Sequence, residues 1–263
     1  MMKSPKKILP HGTILLLFAA AVIMLLFGSI GSARAALTYY SEDYTSRLQM
    51  YNIGVTLLEN DAEVAKRNYD SSGSGAWEET SVPLLEHMIP EGEILQIGRS
   101  YPEELKVVNT GTVDQYVRVT IYKYWTEAPA EGEEADGREQ RKLQDLDSEM
   151  IMLNLTEGSG WLVDESSSTK ERMVLYYSRA LAVGETTEPF ADELRINNSI
   201  LTKVEEKPGA AGGNIMSTYI YDNKQFWVDV KVDVVQEHNA ADAVWSAWGR
   251  RVQVSDGVLS LSD

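Results

Sequence analysis

The stretch "FWVDVKVDVV", residues 226–235, decides the fold class. Phe226, Val228, Val230, Val232 and Val234 fall on one side of an extended chain, and Trp227, Asp229, Lys231 and Asp233 on the other. Strict apolar–polar alternation of this length marks an antiparallel strand with one face in a core and one toward water. A second stretch, "VDQYVRVTIYKYW" (113–125), behaves similarly. Val117, Val119 and Ile121 line one side, with Tyr116, Arg118, Thr120, Tyr122 and Tyr124 opposite, in the β-branched and aromatic composition that strands favour.

Working outward, shorter strands are expected at 53–58, 64–69, 105–109, 151–155, 172–177, 194–196 and 217–221, with "ENDAE" (59–63) as a hairpin turn between the first two. Many short strands separated by turn residues predict an all-β fold, a jelly-roll-like antiparallel β-sandwich, rather than an α/β one. One short C-terminal helix is expected in "HNAADAVWSAWG" (238–249), from an Asn239 cap to a Gly249 stop. Trp245 and Trp248 lie three apart, and on that spacing they pack the helix onto the sandwich. Long surface loops are expected at 69–81, at the acidic, flexible 126–142 and at 205–213. Strand patterns continue on both sides of each, so none reads as a domain linker.

The first 35 residues read as a cleavable signal peptide. Lys3, Lys6 and Lys7 precede an apolar run over residues 14–27, and Ala33-Arg34-Ala35 supplies the small residues of a cleavage site before Ala36. The run has 14 residues, short of the ~18–20 that cross a bilayer as a helix. A single domain over 36–263 is then expected, 228 residues long. The leader holds four basic residues and no acidic one, so this remainder carries 20 basic against 40 acidic side chains. That balance disfavours nucleic acid and anionic membrane surfaces as partners. The chain has no cysteine, which removes thiol catalysis and disulfide stapling and suits export from a Gram-positive bacterium. With no sorting motif or hydrophobic tail near Asp263, covalent wall anchoring by that route is not expected.

Catalytic signatures are absent. Beyond the leader only His87 and His238 remain, with no HExxH motif, where a catalytic zinc takes two or three imidazoles or imidazoles with a carboxylate. There is no nucleophile elbow, P-loop or dinucleotide fingerprint. "DLDSE" (145–149) clusters carboxylates without the spacing of an EF-hand loop and reads as a solvated acidic turn. No cofactor is expected.

Three stretches taken together resemble the TasA/camelysin family of secreted biofilm-matrix and surface proteins of Gram-positive bacteria. The first is "ARAALTYYSEDYTSRLQMYNIGVTLLEN" (33–60), a cleavage site followed by Thr38-Tyr39-Tyr40-Ser41-Glu42-Asp43 and a strand after a glycine. The second runs from "IPEGE" (89–93) to "YPEELKVVNTGTVDQYVRVTIYKYW" (101–125), with an Asn-Thr-Gly turn before a long strand. The third is "DVVQEHNAADAVWSAWG" (233–249). Glu91 interrupts the family's Pro-Gly-Glu turn.

The resemblance implies a secreted jelly-roll protein processed by a SipW-type signal peptidase and used in the extracellular matrix or at the cell surface. It also implies self-assembly into fibres, the freed N-terminal segment of one copy completing the sheet of the next. Residues 36–50 are the donor candidates, with Leu37, Tyr39, Tyr44 and Leu48 as apolar anchors. The same segment could instead be the first strand of its own domain. Two other readings stand beside a structural role. One is a camelysin-like surface metallopeptidase relying on His87, His238 and carboxylates. The other is a monomeric adhesin or glycan-binding module using Trp77, Trp125, Trp161 or the tyrosine-rich 116–124 strand. Matrix or cell-wall components are further possible partners.

Overall fold

A computed structural model describes residues 12, 13, 15, 16, 18–23, 52–68, 77–79, 84–86, 88–90, 92–128, 141–208 and 215–262. The chain divides into two units, residues 1–50 and 51–263. In the first, the described residues are helical and exposed. Among the described residues no helix is long and apolar enough to cross a membrane.

The second unit is all-β. In chain order its strands are β1 (Gly54–Glu59), β2 (Ala62–Asn68), β3 (Trp77–Glu79), β4 (Ser100–Asn109), β5 (Gln115–Glu127), β6 (Ile151–Leu155), β7 (Trp161–Val163), β8 (Arg172–Tyr177), β9 (Ala191–Ile196), β10 (Val204–Pro208), β11 (Ile215–Tyr219), β12 (Lys224–Gln236), β13 (Val252–Ser255) and β14 (Val258–Leu261). One sheet has six strands in the order β3-β2-β1-β4-β9-β6, and another has four in the order β12-β5-β8-β7. Two further ribbons pair β10 with β11 and β13 with β14. Every pairing is antiparallel.

The pairings nest. β7 pairs with β8, β6 with β9 and β5 with β12, as in one long hairpin folded so that successive levels alternate between the two sheets. At the outermost level β4 takes β1, from the N-terminal side of the unit, as its partner.

The inward-facing residues meet in one core that draws on both large sheets. Val55 and Leu57 come from β1, Leu105 and Val107 from β4, Val117, Val119 and Ile121 from β5, and Val228, Val230, Val232 and Val234 from β12. The valine alternation of 226–235 therefore faces inward as the sequence pattern requires. Asn60 and Asp61 close the β1–β2 hairpin with φ of 48° and 68°, a two-residue turn whose left-handed positions suit Asn and Asp.

β5 departs from the half-exposed pattern. Tyr116, Thr120 and Tyr124, on its outer side, are also buried. A smaller second core of Tyr116, Val174, Tyr176, Val235, Ala240, Val244, Val252 and Leu259 covers the Tyr116 end of that face. It is supplied by the C-terminal helix (Ala240–Trp248) and the β13–β14 ribbon. The helix ends at Gly249 as expected, with φ of 68° and its N–H donating to the Trp245 carbonyl. At the other end Asn239 is left-handed and its side chain makes no cap bond. The expectation for the two tryptophans holds only for one of them. Ala240, Val244 and Trp248 share the packed stripe, and Trp248 rests on Tyr176 at 5.6 Å between centroids. Trp245 is half exposed beside Arg251, because its neighbour Val244 already points straight inward and one residue turns the helix about 100°.

The expected loops are partly strand. β3 lies within 69–81, β5 extends to Glu127 with Thr126 bridging Lys142, and β10 occupies 204–208. Residues 69–76, 80–81, 129–140 and 209–214 lie outside the described residues.

Candidate functional site

β12 is thirteen residues long and pairs with β5 along its whole length, from Lys224↔Glu127 to Gln236↔Gln115. It is also the terminal strand of its sheet. Two bonds fix the phase of the ladder. The Glu237 N–H donates to the Asp114 carbonyl at 2.9 Å, and the Ala128 N–H to the Asn223 carbonyl at 3.1 Å. Bonded and non-bonded pairs alternate in an antiparallel ladder, so odd-numbered residues of β12 turn their backbone groups toward β5. Even-numbered residues 224–236 turn theirs the other way, and among the described residues no strand takes them up.

The opposite sheet explains the opening. β1 lies across the core from β12, and beyond β1 the six-stranded sheet continues through β2 and β3. Among the described residues the four-stranded sheet stops at β12, so the longer sheet overhangs it by two strands. Arg67 reaches out from β2 at this overhang and meets Asp233 of β12 at 2.5 Å. Arg118 of β5 holds the other oxygen of the same carboxylate at 2.7 Å and lies 4.9 Å from the Trp248 ring centroid. Further along the outer face Trp227 stacks on Tyr124 at 6.5 Å, and the Tyr124 hydroxyl donates to Asp229 at 3.0 Å. Burial, and then the neighbouring Asp229 carboxylate, push the Tyr124 phenol well above its ordinary range. Lys142 sits over its ring at 3.8 Å.

The first described residues of the unit lie at the Gln236 end of this edge. The Asn52 N–H donates to Thr112 Oγ1 at 2.9 Å, the Thr112 N–H returns to the Asn52 carbonyl at 2.8 Å, and Gln115 Nε2 donates to the Gly54 carbonyl at 2.6 Å. The Asn-Thr-Gly turn found in the sequence builds this junction. Asn109, buried, donates to the carbonyls of Val113 and Leu181 at 2.9 and 2.8 Å and accepts the Gly111 N–H at 2.9 Å. A Cβ on Gly111 would lie 2.7 Å from both the Asn52 carbonyl oxygen and the Gly54 nitrogen, which is why glycine stands there.

The cleavage residues Ala33, Ala35 and Ala36 and the donor candidates Leu37, Tyr39, Tyr44 and Leu48 lie outside the described residues, as does His87. His238 is exposed after β12, and among the described residues no cluster of three or more His, Asp or Glu is placed to hold a metal. In the acidic 145–149 stretch, Asp147 caps the turn Ser148–Met150, and Lys170 lies 3.8 Å from Asp147 and 2.9 Å from Glu149.

Two of the aromatic platform candidates are structural instead. Trp125 is buried, donates its indole N–H to the Asp147 carbonyl at 3.1 Å and packs edge-on against Tyr221. Trp161 donates to the Glu188 carbonyl at 2.9 Å and lies against Tyr177 and Phe190. Trp77 lies in β3. On the tyrosine-rich strand Tyr116 is buried with its hydroxyl on the Gly257 carbonyl, at 2.9 Å, and Tyr122 has Lys142 and Lys231 each 5.7 Å from its ring centroid.

One feature escapes the sequence reading: Glu59 and Glu103 are buried side by side. The signal was a glutamate at an inward position, since Tyr101, Glu103, Leu105 and Val107 alternate with more exposed neighbours along β4.

No protein-family model, no curated protein and no solved structure matches the chain.

Proposed function

We propose that this chain is a secreted structural protein of the bacterial cell surface or biofilm matrix that assembles head to tail. Cleavage after Ala35 by a SipW-type signal peptidase frees residues 36–50, and this segment adds as a strand to the open edge of β12 on the next copy. The observation that carries the reading is that edge, thirteen residues whose outward backbone side no strand among the described residues pairs, beneath a two-strand overhang. An extended segment satisfies such groups with main-chain hydrogen bonds and places alternate side chains on the core side. Leu37 and Tyr39 have the spacing to share that side. The fifteen residues of 36–50 span about 50 Å when extended, against about 44 Å for β12. The contact joins two different surfaces, so it propagates as a filament and does not close on itself. The nested strand pairing supports a jelly-roll, and the resemblance to the TasA/camelysin family points the same way. No cofactor and no catalytic residue enter this function.

The test compares a chain beginning at Ala36 with one lacking 36–48, by sedimentation and negative-stain microscopy. Fibres from the first and folded monomers from the second are expected. Two folded monomers would refute donation by this terminus, and an unfolded shorter chain would make the segment the domain's own strand.

A further inference from the structure

Glu103 lies on the inward side of β4 with no exposed surface, and both of its carboxyl oxygens lack a donor from any N–H or hydroxyl. Its neighbour is Glu59, the last residue of β1, which is 4% exposed. The two come together because β1 pairs with β4 with Glu59 opposite Leu105, and Glu103 is the next inward residue along β4, at the end of the sandwich where β1 turns into β2. Glu59 Oε1 accepts the backbone N–H of Leu85 at 2.6 Å. Leu85 has φ of 72°, a backbone region costly for a leucine unless its surroundings hold it. Leu84, Leu85, Met88 and Ile89 pack into the core beside it.

Among the described residues no cation neutralises the pair. Lys106, on the opposite face of β4, serves Asp61 and Glu104. Lys66 on β2 pairs with Glu63, and both are well exposed. Lys123, from the facing β5, gives its ammonium to the Ile151 carbonyl at 2.7 Å. On β9, Glu193 takes the Ser100 hydroxyl, and Glu86 on the turn is exposed. Two adjacent carboxylates in this dry setting cannot both be ionised.

We propose that Glu103 and Glu59, joined through a proton on Glu103, form a pH-released latch that fastens the turn around Leu85 over the end of the sandwich. With Glu103 protonated, its O–H donates to Glu59, and the Glu59 carboxylate keeps an oxygen for the Leu85 N–H. Removing that proton sets two charges against each other under the turn and drives it off. Burial first, and then the Glu59 carboxylate, push Glu103 up to about 9. The unfolded chain gives up this proton near pH 4.5 and the folded chain keeps it to about 9. The folded state therefore binds more protons across that window, and the group makes stability fall as pH rises through it. The latch stands independently of strand donation.

The experiment records thermal midpoints of the Ala36-start chain from pH 5.5 to 9.5 for wild type, Glu103→Gln and Glu59→Gln, with infrared spectra at pH 7. Glutamine donates an N–H as the protonated acid does. Glu103→Gln should therefore flatten the alkaline decline of the midpoint and melt above wild type at pH 8. Wild type should show the carbonyl stretch of a buried carboxylic acid at pH 7, and Glu103→Gln should lack it. That band needs no comparison of stabilities, so it tests the pair even if a variant folds poorly. Parallel pH profiles for wild type and Glu103→Gln, or no acid band, would overturn the latch. Loss of the band on adding calcium, magnesium or zinc chloride, with a midpoint that EDTA lowers, would overturn it in favour of a cation site.

Discussion

Proline placed at successive positions of β12 reads the open edge directly. At Lys231 the N–H points to the Thr120 carbonyl across the ladder, by the phase that the Glu237 and Asn223 bonds set. Thr120 is buried, so a carbonyl robbed of its donor finds little water. Lys231→Pro loses about 1 kcal/mol for the bond and about 1–3 kcal/mol for the stranded acceptor, roughly 3 kcal/mol together. At Val230 the N–H points to the unpaired side, where proline is tolerated as on any edge strand. Val230→Pro keeps an apolar side chain of similar size in the core and costs about 1 kcal/mol in packing. The two variants thus differ by about 2 kcal/mol, or roughly 4–8 °C in midpoint for a domain of this size. Thermal unfolding followed by circular dichroism measures it, and sedimentation adds a second readout. Val230→Pro should fold nearly as well as wild type yet assemble poorly, having lost a donor on the face where a strand would add. If Val230→Pro is as destabilised as Lys231→Pro, the outward backbone groups already have partners and the open edge does not exist.

Three further outcomes are expected. Asn109→Ala strips three hydrogen bonds to backbone groups at the junction with Asn52 and Gly54, and should cost about 2–4 kcal/mol in chemical denaturation. Trp248→Ala should destabilise by about 3 kcal/mol and Trp245→Ala by less than about 0.5 kcal/mol, because only Trp248 packs on Tyr176 and Arg118; equal effects would contradict the helix orientation. Burial alone would raise the Asp164 carboxyl, but hydrogen bonds from Ser166 and Ser167, with the Arg250 guanidinium, outweigh it and hold the group below its ordinary range. Its stabilisation is therefore present at neutral pH and lost as pH falls through the acid range, so Asp164→Asn should lower the midpoint at pH 7 and flatten its decline below about pH 4.

How much of this was legible in the sequence follows from how local each signal is. The alternation of 226–235 and 113–125 needs no partner to be read, and both strands stand where it put them. β7 has three residues, too few to show a period, and β10 shows none because its described side chains all face water. The β13–β14 hairpin has a local signal of its own. Asp256-Gly257, with φ of 53° and 76°, is a strong two-residue hairpin turn, flanked by Val252 and Val254 on one side and Val258 on the other. The three-residue spacing of Trp245 and Trp248 marks a shared face but not the packed one, and the i, i+4 spacing of Ala240, Val244 and Trp248 names the stripe that is buried. Glu103 was hidden because one glutamate among forty acidic side chains carries no mark of burial until β1 and β4 are paired.

The open edge was beyond reach for a related reason: a strand's own residues do not say how many neighbours it has. What they do say, once the order is known, is that β12 lacks the usual protections of an edge. It is thirteen residues long, holds no proline, pairs without a bulge and keeps its inward positions apolar. Asp229 and Lys231 are on the outer face, clear of a strand arriving in the plane of the sheet, while the Arg67–Asp233 ion pair that reaches round the edge from β2 is the one contact such a strand has to displace among the described residues. A flat edge of that kind invites promiscuous pairing. The excess of acidic side chains in the cleaved chain, 40 against 20 basic, opposes it between whole copies, but acts only weakly on a short extended segment. Residues 36–50 carry Glu42, Asp43 and Arg47, which the α-amino group freed by the proposed cleavage brings to about neutral, so on that proposal the donated segment itself adds little to the repulsion. On the proposed function, an edge that no described strand covers, in a chain otherwise built to repel itself, is a surface selective for such a strand.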